Sequence, residues 1–220
     1  MAMKAAHRKT GKPTLKDYRL YFVTDPRLNK GYNVLEQVDL ALQGGVRIIQ
    51  LREKGLPAQE FIGLASQALK LTRAYDAFLI INDLPEVASS VGADGVHIGQ
   101  NDINPLEARK MLGKDAIIGL SVKTVEEAIR GEEDGIDYVA VSGVFPTTTK
   151  EDVGYYPGLE GIMRIRNCTR LPVIGIGGIT RDNCRYVIDA GAHGVAVVTA
   201  ITMSDNIPSA CRLLLEEIGA

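Results

Sequence analysis

Four groups of polar residues in this 220-residue chain are typed and spaced for handling a concentrated anion. The first is Gln50-Leu51-Arg52-Glu53-Lys54. On an extended strand alternate side chains share a face, so Gln50, Arg52 and Lys54 would line one side. One amide and two cations suit an anionic ligand with a polar ring, although a salt-bridged rim would use the same residues. The second group is Asn82-Asp83 with Asp102. Two neighbouring carboxylates repel unless a proton or a cation sits between them. With no His/Cys set beside them, hard oxygen donors favour Mg²⁺, which keeps several waters and shares oxygens with substrate phosphates. The competing reading is that each carboxylate caps a following helix. The third group, Pro146-Thr147-Thr148-Thr149-Lys150, offers three hydroxyls and a cation for a phosphate clamp. The fourth, Gly175-Ile176-Gly177-Gly178-Ile179 with Val197-Val198-Thr199-Ala200, has glycines that let backbone N–H groups approach phosphate oxygens.

The elements that would carry these groups alternate regularly. Short β-branched runs occur at 20–23, 48–51, 78–81, 95–98, 117–120, 138–141, 173–176 and 194–198. Between them, stretches at 34–43, 58–73, 105–112, 125–133, 159–166, 181–189 and 206–218 repeat apolar residues at helical spacing. Phe61, Leu64, Ala65, Ala68, Leu69 and Thr72 form one such stripe. Strands that are nearly all apolar and joined by helices imply a parallel sheet covered on both faces. Eight such units predict an α/β fold, a single (β/α)8 TIM barrel with parallel strands; a doubly wound open sheet is the alternative. The domain reading is a basic, mobile tail over 1–18 and a catalytic barrel over 19–220. In a barrel, function gathers at the carboxyl ends of the strands, and loops after strands seven and eight often bind phosphate. All four polar groups fall at such ends. His97, inside an apolar run, reads as a packed core histidine.

Composition narrows the function classes. A charge of −2 and an absence of Trp argue against nucleic acid as a partner. No apolar run approaches the ~18 residues of a membrane helix. At 45% hydrophobic residues the chain is not a disordered one. Cys168, Cys184 and Cys211 lack zinc spacing and read as reduced thiols, hence a cytoplasmic protein.

Taken together, the motifs resemble the thiamine-phosphate synthase (thiamine-phosphate pyrophosphorylase) family. The likeness runs from LYFVTD at 20–25 to AVVTAI at 196–201. It includes QLREK at 50–54, IIND at 80–83, ADGVHIGQND at 93–102, GLS at 119–121, FPTTTK at 145–150 and IGIGGI at 174–179. Each motif is weak alone; their order around one barrel is specific. The resemblance implies a transferase of thiamine biosynthesis. It joins 4-amino-2-methyl-5-hydroxymethylpyrimidine diphosphate to a thiazole phosphate, giving thiamine monophosphate and pyrophosphate, with CO₂ lost when the thiazole carries a carboxylate. It implies pyrimidine diphosphate binding by the run Gln50, Leu51, Arg52, Glu53 and Lys54 with Asn82, Ser121 and Lys150. It further implies that Arg52, Ser121 and Lys150 are the catalytic set and that Asp83 and Asp102 hold one Mg²⁺. By the same resemblance Thr147, Thr148, Thr149, Gly178, Val198 and Thr199 would hold the thiazole phosphate.

The chain departs from the family pattern at Lys123, where a His is common, and at Ser142-Gly143, where Gly-Pro is usual. A related thiazole tautomerase relies on that His and lacks the paired Asp residues, so both differences favour the synthase. Another phosphate-binding barrel enzyme would leave QLREK and the Asp pair without a shared purpose. A non-catalytic ligand-binding barrel would bind without releasing pyrophosphate. The expected partners are the two small molecules, with neither nucleic acid nor membrane; whether the chain forms a homo-oligomer is left open.

Overall fold

The computed structural model describes residues 11–147 and 155–219. Eight parallel strands close into a barrel in chain order. They are β1 (Leu20–Val23), β2 (Ile48–Leu51), β3 (Phe78–Asn82), β4 (Gly95–Ile98), β5 (Ile117–Val122), β6 (Tyr138–Ser142), β7 (Val173–Ile176) and β8 (Gly194–Val197). The helices are α1 (Val34–Gln43), α2 (Ala58–Ala74), α3 (Pro85–Val91), α4 (Pro105–Leu112), α5 (Val125–Glu133), α6 (Gly158–Cys168), α7 (Cys184–Asp189), α8 (Thr199–Thr202) and α9 (Ile207–Glu217). The closed barrel replaces the open-sheet alternative. Helices α3 and α8 are not among the stretches that periodicity predicts, and α7 begins three residues later than expected.

The two-residue period of the strands sorts the core into two clusters. Phe22, Ile49, Leu51, Leu79, Ile81, Val96 and Ile118 point outward and pack under the helices. Tyr21, Ile48, Phe78, Ile80, Ile117, Tyr138 and Ile174 point inward and fill the barrel. Because both faces are covered, the strands need no polar alternation until they reach the mouth. There the inward register continues as Gln50 on β2, Asn82 on β3, Ser121 on β5 and Ser142 on β6, which end the apolar filling.

The opposite end is closed by Tyr18, which is buried and lies 5.2 Å from the Tyr138 ring, centroid to centroid. Lys12 pairs with Asp137 beneath β6. Of residues 11–18 only Tyr18 is buried, and it closes the barrel floor; residues 1–10 lie outside the described residues. Glycines permit the tightest backbone contacts. A Cβ on Gly194 would come within 1.9 Å of the Tyr18 carbonyl, and one on Gly119 within 2.0 Å of the Tyr138 ring. Among the described residues no helix is long and apolar enough to cross a membrane.

Candidate active site

At the carboxyl ends of the strands lies a cavity of about 310 Å³, within the usual size of a small-molecule site. Gln50, Arg52, Lys54, Asn82, Asp83, Asp102, Ser121, Thr147, Gly178, Val198 and Thr199 all line it. Residues from the second strand to the eighth thus share one mouth. Leu51 does not: it is fully buried on the outward face, because a one-residue step along a strand reverses the side chain. Glu53 is also absent from the lining. Among the described residues one of its carboxyl oxygens is buried without a hydrogen-bond partner, and burial, with Asp25 nearby, raises its pKa. Thr148, Thr149 and Lys150 lie outside the described residues.

Arg52 is held by a residue that the motif spacing does not single out. Its guanidinium donates to Asp25 Oδ2 at 2.8 Å, and its backbone N–H donates to Thr24 Oγ1 at 2.9 Å. Arg27 grips the same carboxylate from the other side, through Nε at 3.1 Å and a terminal nitrogen at 2.9 Å. The Asp25 side chain is 0% exposed and that of Arg52 15%. Burial alone would raise the Asp25 pKa, but the hydrogen bonds from Arg27 and the Arg52 charge outweigh it and hold the carboxyl below its usual value. A group whose folded pKa is depressed adds stability above its unfolded value, about 3.9, and loses it as pH falls through the folded value. Asp25→Asn therefore destabilises the protein by about 3 kcal/mol at pH 7, as expected when one partner of a buried pair is removed. Urea unfolding at several pH values should show the gap between variant and wild type narrowing below about pH 4.

The two aspartates do not cap helices. Helix α3 follows Leu84 with no side-chain cap, and α4 is capped by Asn104, whose carboxamide oxygen accepts from the Leu106 N–H at 2.8 Å. Asp102 Oδ2 instead accepts from the Gly99 N–H at 2.7 Å, folding the carboxylate back toward the mouth. Asp83 sits in the left-handed region at φ 62°, which Asp tolerates better than most residues. Its half-buried carboxyl is within hydrogen-bonding range of Asp102. Burial first, then the Asp102 charge, pushes its pKa up to about 6; Asn82 and Lys54 oppose the rise. Two oxygen donors that resist carrying adjacent negative charges form a site that a hard divalent cation would relieve. Among the described residues no cluster of three or more metal-ligating side chains occurs, so waters or substrate oxygens would complete such a shell.

The turn after β7 is shaped by its backbone. Gly177 and Gly178 have φ of 114° and 61°, and a Cβ on Gly178 would lie 2.4 Å from the Pro146 carbonyl. Only glycine lets this turn pass under the 146–147 segment. Helix α8 opens beside it at Val198 without a side-chain cap. In barrels the loops after strands seven and eight are where phosphate is often bound. Lys123 and Ser142, where the chain departs from the family pattern, line the same cavity.

Under the mouth, Gln50 Nε2 donates to the Tyr21 hydroxyl at 2.9 Å, and the Tyr21 and Tyr138 hydroxyls are 2.8 Å apart. His97 Nδ1 lies 2.9 Å from the Tyr138 hydroxyl, and His97 Nε2 lies 2.9 Å from Ser121 Oγ. Burial raises the pKa of both tyrosines, so each keeps its proton. His97 packs in the core as expected and also reaches a site residue.

Known proteins resemble this chain over most of its length. The family model described as "Thiamine monophosphate synthase" matches residues 20–201. The chain is 44% identical to a thiamine-phosphate synthase of Moorella thermoacetica over 204 residues, 93% of this chain and 97% of that one. It is 39% identical to the thiamine-phosphate synthase of Clostridium acetobutylicum, over 91% and 94% of the two chains. The solved thiamine phosphate pyrophosphorylase from Pyrococcus furiosus superposes with a TM-score of 0.84 at 36% identity, covering 93% of this chain and 96% of that one.

Proposed function

The chain belongs to the thiamine monophosphate synthase family, and from that premise we propose how its own residues carry out the synthase reaction. The thiazole nitrogen of a thiazole phosphate forms a bond to the methylene carbon of 4-amino-2-methyl-5-hydroxymethylpyrimidine diphosphate. The carbon–oxygen bond breaks, and its electron pair leaves with pyrophosphate. The observation that carries this reading is that the amide, the cations, the paired carboxylates and the glycine turn line one cavity.

Arg52, preset by Asp25, is positioned to take the charge that grows on the departing diphosphate, as is Lys54 beside Asp83. Lys150 would add a further cation. Gln50, Asn82 and Ser121 would orient the aminopyrimidine; the Gly178 turn, Val198, Thr199 and the threonines from Thr147 would hold the thiazole phosphate. The two substrates are thereby aligned before bond cleavage, which lowers the entropic cost of their encounter. The aminopyrimidine ring can donate electron density to the carbon losing its leaving group, so we read the step as dissociative. The attacking nitrogen carries no proton, and no general base is required. Water would trap a cationic carbon, so the attacking nitrogen must already be in place when the carbon–oxygen bond breaks.

Asp83 and Asp102 are the residues that would hold Mg²⁺, and their mutual repulsion fits them to it. The ion would supply positive charge to the diphosphate oxygens. The enzyme's partners in this reading are the two substrates. All three cysteines are unpaired, which supports a reducing compartment such as the cytoplasm.

Mixing the purified protein with both substrates and Mg²⁺ should yield thiamine phosphate and pyrophosphate in equal amounts. Chelation should stop both. Product formed without a divalent cation would contradict the carboxylate assignment, and binding without pyrophosphate release would contradict the reaction.

A further inference from the structure

The hydrogen-bonded run beneath the mouth joins Gln50 on β2 to Ser121 on β5 through side chains of β1, β6 and β4. It crosses the barrel interior, and its ends are two residues lining the cavity. The middle three side chains are buried, His97 with 7% exposure. Gly119 gives the run its passage, since any side chain there would collide with the Tyr138 hydroxyl end.

The proton count along the run permits few arrangements. Each tyrosine hydroxyl has one hydrogen, and a neutral imidazole has one N–H and one acceptor nitrogen. If Gln50 donates to Tyr21, then Tyr21 donates to Tyr138 and Tyr138 donates to His97 Nδ1. The His97 proton then sits on Nε2 and points at Ser121 Oγ, so the Ser121 O–H is left to donate elsewhere. Turning over the Gln50 amide reverses every bond: its oxygen accepts from Tyr21, and Ser121 donates to His97. In one arrangement Gln50 keeps its acceptor oxygen for the mouth and Ser121 its donor hydrogen. In the other the roles are exchanged.

We propose that Tyr21, Tyr138 and His97 are positioning residues that couple Gln50 to Ser121, so that the two ends always present one hydrogen-bond donor and one acceptor to the substrate ring. A heteroaromatic ring bearing an exocyclic amine carries both an N–H donor and a ring-nitrogen acceptor, and such a pair of ends suits it. The inference rests on the reading that Gln50 and Ser121 hold the aminopyrimidine. It extends that reading by making the recognition a property of the whole run, in which each end's contribution depends on the other.

The experiment is a double-mutant cycle on binding of the aminopyrimidine diphosphate, measured by titration calorimetry. Gln50→Ala and Ser121→Ala are made singly and together, first with Tyr138 present and then with Tyr138→Phe. Phenylalanine keeps the ring in its packing and removes one link. With Tyr138 the two losses in affinity should fail to multiply, by about fivefold or more. In the Tyr138→Phe background they should multiply. Equal non-multiplicity in both backgrounds would mean that the coupling passes through the ligand and would overturn the proposal; simple multiplication in both would do the same. Should Tyr138→Phe not fold, Tyr21→Phe cuts the neighbouring link with the same expected outcomes. Failure of the wild type to bind the aminopyrimidine diphosphate would overturn the underlying reading, and the coupling with it. Tight wild-type binding with a flat cycle would overturn the coupling alone.

Discussion

Asp83→Asn lowers kcat/KM for the aminopyrimidine diphosphate by about 10²–10³, or about 3–4 kcal/mol of transition-state stabilisation at 1.36 kcal/mol per tenfold. Asn is chosen because, like Asp, it accepts the left-handed backbone that residue 83 adopts at φ 62°. The substitution therefore removes charge without straining the turn. With that charge gone, Asp102 would lack a partner with which to hold a divalent ion, and the departing diphosphate would lose the positive charge proposed for it there. A second readout separates this from general damage: calorimetric titration with Mg²⁺ or Mn²⁺ should show a matching loss of ion affinity, with the unfolding midpoint little changed. Asp102→Ala should behave alike. Full turnover in either variant would remove the carboxylates from the reaction.

Arg52→Ala should cost a similar 10²–10³ in kcat/KM, about the usual penalty for deleting one preorganised electrostatic donor at a site of developing charge. The guanidinium is held on one edge by Asp25, and Thr24 fixes the Arg52 backbone N–H, so the donor is oriented before substrate arrives. Lysine offers charge but not the planar fork, and Arg52→Lys should remain well below wild type. Inhibition by inorganic pyrophosphate should weaken in parallel, whereas KM for the thiazole phosphate should hardly move. Unchanged pyrophosphate inhibition would place the diphosphate elsewhere in the cavity.

How far this site is legible in the sequence depends on the physics behind each part. Strands β1, β2, β4 and β7 have the bounds that their apolar runs predict, because both faces of a parallel barrel are buried and the runs stop where the mouth begins. Helix α3 escapes because it has seven residues, includes Ser89 and Ser90, and begins without a capping side chain. Strand alternation places Gln50 toward the mouth and turns Leu51 away; β2 ends at Leu51, so Arg52 and Lys54 reach the cavity from the loop that follows rather than by the strand's register.

Asp25 is harder to find. Its position just past β1 resembles the other polar strand ends, but nothing in the spacing ties it to Arg52, 27 positions away. The signal available is placement alone: a carboxylate at the only strand end not already assigned to the ring. Tyr21, His97 and Tyr138 lie inside apolar runs and read as filling; their hydrogen bonds exist only once the barrel closes. The cap reading of Asp83 and Asp102 is physically reasonable, and it gives way to geometry: Asn104 takes the cap of α4, leaving Asp102 to fold back beside Asp83.

The proposed chemistry requires one mouth to hold both the ion and the diphosphate. Crystals grown with Mn²⁺ and the aminopyrimidine diphosphate, measured at the manganese absorption edge, test it directly. An anomalous peak within coordination distance of both Asp83 and Asp102, with diphosphate density reaching from it toward Arg52, is the predicted result. A peak on other residues, or a diphosphate seated away from Arg52, would contradict it.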